Sequence, residues 1–362
     1  MPVLLDSTYH CGPMQIAPKL ITWYEANKRD LPWRHTREPY AVWLSEVILQ
    51  QTRVDQGMAY YLKFLQLFPT VFDLAAASED AVLKAWQGLG YYSRARNLHA
   101  TAKLVVTEYG GQFPQTAAEL KSLKGIGEYT AAAIASFCYG ENIPVMDGNV
   151  LRVAARLTAM GEPIDKPTGR GHVMAFLWEW IPSENPDTFN QAIMEFGALQ
   201  CTPRNPGCSE CVFSSECEAR RQGSVDRLPF KQGKTAVSHV WMYYAVITCG
   251  DQWLVRRRSH SGIWKGLYDF PSADVAEPAE VDEILSGYLT GLVRQAAFQL
   301  LDVSEEFKHV LSHRVVHARF MRINVQEVFE VPDDMRWVTR ENLRELGVSR
   351  LVDRYLQQLL ES

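Results

Sequence analysis

"LKSLKGIGEYTAAAIASF", residues 120–137, is the stretch that decides the fold. Gly125 and Gly127 separate a short apolar-periodic segment from a longer Ala-rich one, so the pattern predicts two helices joined by a tight turn. Glycine lets the backbone turn sharply and approach another backbone closely. The free N–H groups at the start of the second helix then form an anion site suited to a phosphate. A Gly-x-Gly between helices also serves as a plain turn, so the stretch by itself leaves its use open.

Outward from the hairpin, residues 15–225 carry apolar positions at three- and four-residue spacing, as in "YAVWLSEVILQQT" (40–52) and "NVLRVAARLTAM" (149–160). From about residue 240 the pattern changes. "VWMYYAVITCGDQWLVRRRS" (240–259) predicts two strands about a turn at Gly250-Asp251, and "VVHARFMRINVQEVFEV" (315–331) predicts another extended run. Residues 280–301 and 341–360 read as helices. The polar, Gly- and Pro-containing stretch 226–237 reads as a linker between a helical region, 1–225, and an α+β region, 238–362. At 362 residues, 47% hydrophobic and 22% charged, the chain has ample material for two or three cores. It shows no membrane-length apolar run and no basic leader, which predicts a cytoplasmic protein.

The net charge is −5, and dividing the chain near residue 225 leaves neither part basic. Any nucleic-acid contact must come from a local patch or from backbone amides. Arg256-Arg257-Arg258 lies in a predicted strand, where side chains alternate faces, and reads as a solvated run.

Four of the seven cysteines fall between 201 and 217, as C-x6-C-x2-C-x5-C. A cytoplasmic setting disfavours disulfides. A zinc ribbon calls for paired C-x2-C knuckles, and only one such pair is present. Four thiolates match the ligand count of a 4Fe-4S cluster, which tolerates uneven spacing. Spacing favours iron–sulfur and leaves zinc open.

Two carboxylates draw attention. Glu46 sits among Trp43, Leu44, Val47, Ile48 and Leu49, so it lies either on a wet face or in an apolar setting that raises its pKa and makes it a proton donor. Asp147 precedes a helix in "PVMDGNVLRVAARL", where an N-cap is the default reading.

Together, "LPWR" (31–34), "PYAVWLSEVILQQTRV" (39–54), "WQGLGYYSRARNL" (86–98), "GIGEYTAAAI" (125–134), "MDGNVLRVAARL" (146–157) and the cysteine run resemble the helix-hairpin-helix base-excision glycosylases, and among them the MutY-type adenine DNA glycosylases. The resemblance covers nearly the whole chain. It implies a six-helix hairpin module plus an iron–sulfur module in 1–225, with one 4Fe-4S cluster on Cys201, Cys208, Cys211 and Cys217. Glu46 is implied as the acid that protonates adenine, and Asp147 as the carboxylate that stabilises the cationic sugar. Breaking an N-glycosidic bond needs this division of labour. Tyr129 and Asn149 fall on positions that support the sugar and the attacking water. Gln51 and Tyr91 match residues that wedge into the duplex while adenine is flipped out. Gly125 and Gly127 are implied DNA contacts; Lys124 stands where the hairpin motif usually has proline and adds a phosphate-binding charge, and Arg204 brings local positive charge to the cysteine loop to meet phosphate.

The related endonuclease III cuts the strand through a lysine at the second position after the Gly-x-Gly. Here that residue is Tyr129, and a phenol cannot form the imine. A monofunctional, monomeric enzyme of bacterial type is expected. Its substrate would be double-stranded DNA with A·8-oxoguanine or A·G mispairs. The alternatives are a catalytically silent lesion-binding protein on the same scaffold, or an endonuclease III-like glycosylase/AP lyase.

Residues from 238 resemble the family's Nudix-related C-terminal domain through "GIWKGLYDFP" (262–271) and "HVLSHRVVHARF" (309–320). The R-E-x-x-E-E core of a working Nudix box is absent, which argues against nucleotide hydrolysis. The resemblance implies that Leu311, Ser312 and His313 recognise 8-oxoguanine, with Leu311 standing where the family has an aromatic wedge. Glu195 stands where an aspartate is expected and is assigned no role.

Overall fold

The computed structural model describes residues 15–233, 236–258, 262–289, 292 and 298–361. They form two compact units: one of residues up to 54, 70–72 and 101–233, the other of 55–69, 73–100 and the described residues from 236 onward.

The helices run in chain order α1 Ile16–Asn27, α2 Pro39–Ile48, α3 Val54–Leu67, α4 Val71–Ala76, α5 Glu79–Ala85, α6 Ser93–Tyr109 and α7 Ala117–Leu120. They continue as α8 Glu128–Tyr139, α9 Gly148–Leu157, α10 Pro167–Trp180, α11 Pro186–Leu199 and the short α12 Glu218–Arg221. Local chemistry sets several of these starts. Pro39, Pro167 and Pro186 open α2, α10 and α11, where a missing N–H costs nothing. Asp147 caps α9 with its side chain.

In the first unit α11 packs on α1 and α9, and α2 packs on α8. Leu20, Trp23, Val150, Val153, Phe189, Phe196 and Phe213 build the core between them, and Cys201, Cys211 and Cys217 lie against it. The α9–α11 approach is close. A Cβ on Gly197 would stand 2.7 Å from Asn149 Cβ and 3.1 Å from its carbonyl carbon, so only glycine fits there.

The second unit is built on an eight-stranded sheet. Its strands are β1 Ser238–Cys249, β2 Gln252–Arg257, β3 Tyr268–Asp269, β4 Ser272–Val275, β5 Phe298–Val303, β6 Phe307–Val310, β7 Arg314–Val325 and β8 Met335–Thr339. The order β3-β2-β1-β7-β5 places a parallel β1–β7 pair at the centre, while β4, β6 and β8 pair with β1, β7 and β2. The β1–β2 hairpin turns at Gly250, as its sequence predicts. Short α13 Val281–Ile284 precedes β5, and α14 Arg340–Glu345 and α15 Arg350–Glu361 close the chain.

Three expectations need revision. The helix read over 280–301 holds only at its start: Phe298–Val303 pair with β7 as a strand, and 290–291 and 293–297 lie outside the described residues. A short apolar run does not tell helix from strand by itself. The linker does not hang free over its first part. The Arg156 guanidinium donates to the carbonyls of Val225 (3.1 Å) and Leu228 (3.0 Å), and Ile164 N donates to Phe230 O (3.0 Å). Lys234 and Thr235 lie outside the described residues. Arg256–Arg258 is not a solvated run either. Arg256 and Arg258 both pair with Asp269, which is 3% exposed, and Arg257 pairs with Glu79 and Asp80.

Candidate active site

Glu46 projects from α2 into apolar surroundings and is 7% exposed. Tyr129, in the first turn of α8, donates its hydroxyl proton to Glu46 Oε2. Gln50 Nε2 ties the end of α2 to Thr130 Oγ1 of α8 at 3.2 Å, fixing the two helices that carry this pair. Burial pushes the Glu46 carboxyl up to about 7, and the nearby Asp147 adds to the shift, while Tyr129 and Arg34 oppose it. At neutral pH a large fraction of Glu46 is therefore the acid, ready to give a proton.

Asp147 is an N-cap, as its position predicts, and more besides. Its Oδ1 accepts from the Asn149 and Val150 amides, both at 2.8 Å, and its Oδ2 accepts from Asn149 Nδ2 at 2.8 Å. Burial raises its pKa, and these three bonds and the charge of Arg152 offset that rise only in part. Arg152 Nη2 donates to Asn149 Oδ1 (2.8 Å) and Gly197 O (2.7 Å), and its Nε reaches Cys201 O (2.8 Å). A continuous hydrogen-bonded line thus runs from Asp147 through Asn149 and Arg152 to the cysteine loop. Glu46, Tyr129, Asp147 and Asn149 come together as one group: Asp147 acts electrostatically on both Glu46 and Tyr129.

Two residues beside this group were not singled out as site residues from the sequence. Arg34 of "LPWR" bears on Glu46 and also donates to Glu195 Oε2 at 2.7 Å. Glu195, 1% exposed, binds Arg29 as well, through Nε (2.8 Å), Nη2 (2.7 Å) and the backbone N–H (3.0 Å). Glu195 inside the apolar segment "AIMEFGAL" is the available signal, because a charge buried there needs a partner; Arg29 and Arg34 lie in a charged run and carry no such mark.

In the hairpin, Gly125 has φ 81°, a conformation that favours glycine, and Gly127 starts α8 without a side-chain cap. Lys124 is exposed, and its carbonyl accepts from Thr101 Oγ1. Gln51, just past α2, is exposed and has φ 57°, an uncommon backbone state for a non-glycine residue. In the second unit Tyr91 is 47% exposed with φ 48°. Both wedge candidates therefore sit on strained backbone, as residues at ligand clamps often do.

Cys201, Cys208, Cys211 and Cys217 line one pocket together with Arg156, Phe196 and Arg220. All four are free thiols. Among the described residues no group of three or more His, Cys, Asp or Glu side chains is placed to hold a metal ion. The chemistry of the donor set, four thiols on one apolar-walled pocket, is that of an iron–sulfur site. Arg156, 2% exposed, straps the loop by donating to Thr202 O (2.7 Å) and Pro203 O (3.2 Å). Arg204 is exposed on the same loop.

In the second unit, Tyr91, Arg96, Trp264, Leu311, Ser312 and His313 line a cleft of about 340 Å³. Ser312 Oγ lies 3.1 Å from His313 Nδ1. The loop is closed by Leu311 N donating to Arg314 O at 2.7 Å and Ser238 N to His313 O at 3.1 Å.

Residues 44–183 match the model of the HhH-GPD superfamily base excision DNA repair proteins, and 242–358 match that of the NUDIX domain. The helical part is similar to a thermostable thymine-DNA glycosylase, with a TM-score of 0.51 and 26% identity over 57% of this chain and 95% of that one. The adenine DNA glycosylase of Arabidopsis thaliana is 34% identical over 92% of this chain, which spans 62% of that protein. The human adenine DNA glycosylase is 34% identical over 91% of this chain and 71% of its own. The adenine DNA glycosylase of Buchnera aphidicola subsp. Baizongia pistaciae is 30% identical over 94% of this chain and 95% of its own. On this similarity, which spans both units, the chain belongs to the adenine DNA glycosylase family.

Proposed function

We propose that the protein excises adenine from duplex DNA by hydrolysing its N-glycosidic bond, leaving an abasic site in base excision repair. The observation that carries this reading is the buried Glu46–Tyr129 pair beside the capped Asp147. Tyr129 engages Oε2 of Glu46, which leaves Oε1 to carry the proton toward the base. Protonated adenine is a good leaving group, and its departure leaves positive charge on the sugar. Asp147, oriented by Asn149 and by the amides at the start of α9, faces that charge as an anion. Tyr129 in place of a lysine makes the enzyme monofunctional.

The substrate is adenine opposite 8-oxoguanine or guanine. Tyr91, Leu311, Ser312 and His313, gathered in one cleft of the second unit, are suited to reading the opposite base. Gln51 supplies a second wedge, and the hairpin at Lys124, Gly125 and Gly127, together with Arg204, holds phosphates. Cys201, Cys208, Cys211 and Cys217 would hold one 4Fe-4S cluster. Bound there, it would cross-link the chain and shape the loop from Thr202 to Gly207, since glycosidic hydrolysis transfers no electron. The division of labour follows 1–225 for excision, 226–237 as connector and 238–362 for recognition, in a monomer acting on chromosomal DNA in a bacterial-type cytoplasm.

The test is a glycosylase assay on duplexes with A opposite 8-oxoguanine, G, C and T, read after alkali, with borohydride trapping in parallel. Alkali-dependent cleavage of the first two substrates without a trapped adduct is expected. No base loss from any duplex would leave the silent lesion-binding protein in its place.

A further inference from the structure

The chain is acidic overall, so local cations near the site carry weight. Beside the catalytic group the first unit holds a cleft of about 420 Å³, lined by Gly148, Arg152, Asp165, Arg170, Pro203 and Lys231 among others. Gly148 follows Asp147 directly and opens α9, so the cleft includes the N-terminal end of the helix that Asp147 caps. Pro203 precedes Arg204 on the cysteine loop, which forms another wall.

Of the three cations here, Arg152 is consumed by the line to Asn149 and Cys201. Arg170 and Lys231 are exposed, and neither forms a salt bridge within the described residues; Arg170 acts on the exposed Glu128 only through its field. Lys231 belongs to the connector, yet its backbone is pinned on both sides. Phe230 O accepts from Ile164 N at 3.0 Å, and the next two amides, Gln232 N and Gly233 N, donate to Asp165 Oδ1 (3.0 Å) and Oδ2 (2.8 Å). An exposed polar strand gains little by such ordering unless the residue it presents has a partner. Asp165, the one acid in the cleft lining, has both oxygens engaged by those amides.

We propose that this clasp holds Lys231 over a cleft it shares with Arg170, and that the two cations bind backbone phosphates of the DNA strand that carries the target adenine. The assignment rests on the glycosylase reading above. It extends that reading to residues outside the hairpin, and it makes the connector part of the DNA-binding surface. It also accounts for how a chain of net charge −5 engages a polyanion: the cations are few and fixed in place.

The experiment measures Kd of the full-length, cluster-loaded protein for a duplex with a tetrahydrofuran abasic analogue opposite guanine, between about 50 and 200 mM NaCl. Lys231→Ala and Arg170→Ala should each lower the salt slope by about one and weaken binding about fivefold or more. Lys231→Arg and Arg170→Lys should restore the slope. Arg344→Ala, which removes an exposed cation of the second unit, should leave it unchanged. Asp165→Ala is the sharper arm. Deleting an acid tightens DNA binding by charge alone, so weakened binding in this variant is the signature of lost positioning. A wild-type slope in the Lys231→Ala/Arg170→Ala double variant overturns the inference, as does an equal drop in Arg344→Ala or tighter binding in Asp165→Ala. If wild-type protein releases no adenine, the glycosylase reading fails instead, and the two failures are separable.

Discussion

Glu46 on α2 and Glu195 on α11 are both buried glutamates of the same unit, 7% and 1% exposed, and they titrate in opposite directions. Burial pushes Glu46 up to about 7, because its nearest polar partner is a phenol and its closest charges include another acid. Burial also works against ionised Glu195, but Arg29 and Arg34 outweigh it and hold the carboxyl down at about 2. Desolvation is common to both, and the identity of the partner sets the sign. One site makes a proton donor, while the other makes a permanent anion that fixes the N-terminal segment to α11.

The largest effect expected from breaking this contrast is on chemistry. Glu46→Gln should lower the single-turnover rate of adenine release by about 100-fold or more, and Asp147→Asn should do the same. Wild-type-like rates in either variant would remove that carboxylate from the mechanism. Glu195→Ala should act on the fold instead, leaving two guanidinium groups without their acid and costing about 3–5 kcal/mol. Denaturant unfolding measures this, and an unchanged midpoint would make the ion pairs incidental.

The pH dependence of stability separates the two more finely. Folded Glu46 binds its proton more tightly than the unfolded chain does. Its stabilising contribution is therefore full below its ordinary 4.5 and is lost as pH rises through about 7. Glu195 is the reverse: its contribution is present above 4.5 and is lost as pH falls toward about 2. Glu46→Gln should therefore be more stable than wild type above pH 8, by up to about 3 kcal/mol, and this gain should shrink to about 1 kcal/mol at pH 5 and vanish below pH 4. Equal melting differences at the two ends of this range would show that Glu46 is not desolvated.

The smallest effect is a shift in a profile. Tyr129→Phe removes a hydrogen bond that favours ionised Glu46. The alkaline limb of the single-turnover rate should then move up by about one pH unit, the worth of one hydrogen bond to a charged group. A downward shift would mean that Tyr129 supports the acid form instead.

Much of the site was legible because its signals are local. Gly125 and Gly127 mark a turn, Asp147 stands at a helix start, and the cysteines keep their spacing, all within short windows. Glu46 was legible as an oddity, a charge in an apolar helix, and the structure resolved which of its two readings holds. Glu195 carries the same signal, but it stands where an aspartate is expected, and the partners that give it a role lie 161 and 166 residues away in sequence. Arg152 and Arg156 also passed unremarked: their acceptors are main-chain carbonyls, and carbonyls have no sequence signature. The strand at Phe298–Val303 was misread for a related reason. Its apolar residues suit either periodicity, and only pairing with β7 decides between them.

The sequence by itself determined where the helices turn, which thiols cluster and which carboxylates stand out, because helix caps, glycine turns and ligand spacing act within a few residues. Only the tertiary structure decided that one buried glutamate is an acid and another an anion, that the arginine run is paired, and that the connector is pinned at Asp165. Those outcomes depend on the electrostatics of groups far apart in the chain, and a charge takes its meaning from whatever folding places beside it.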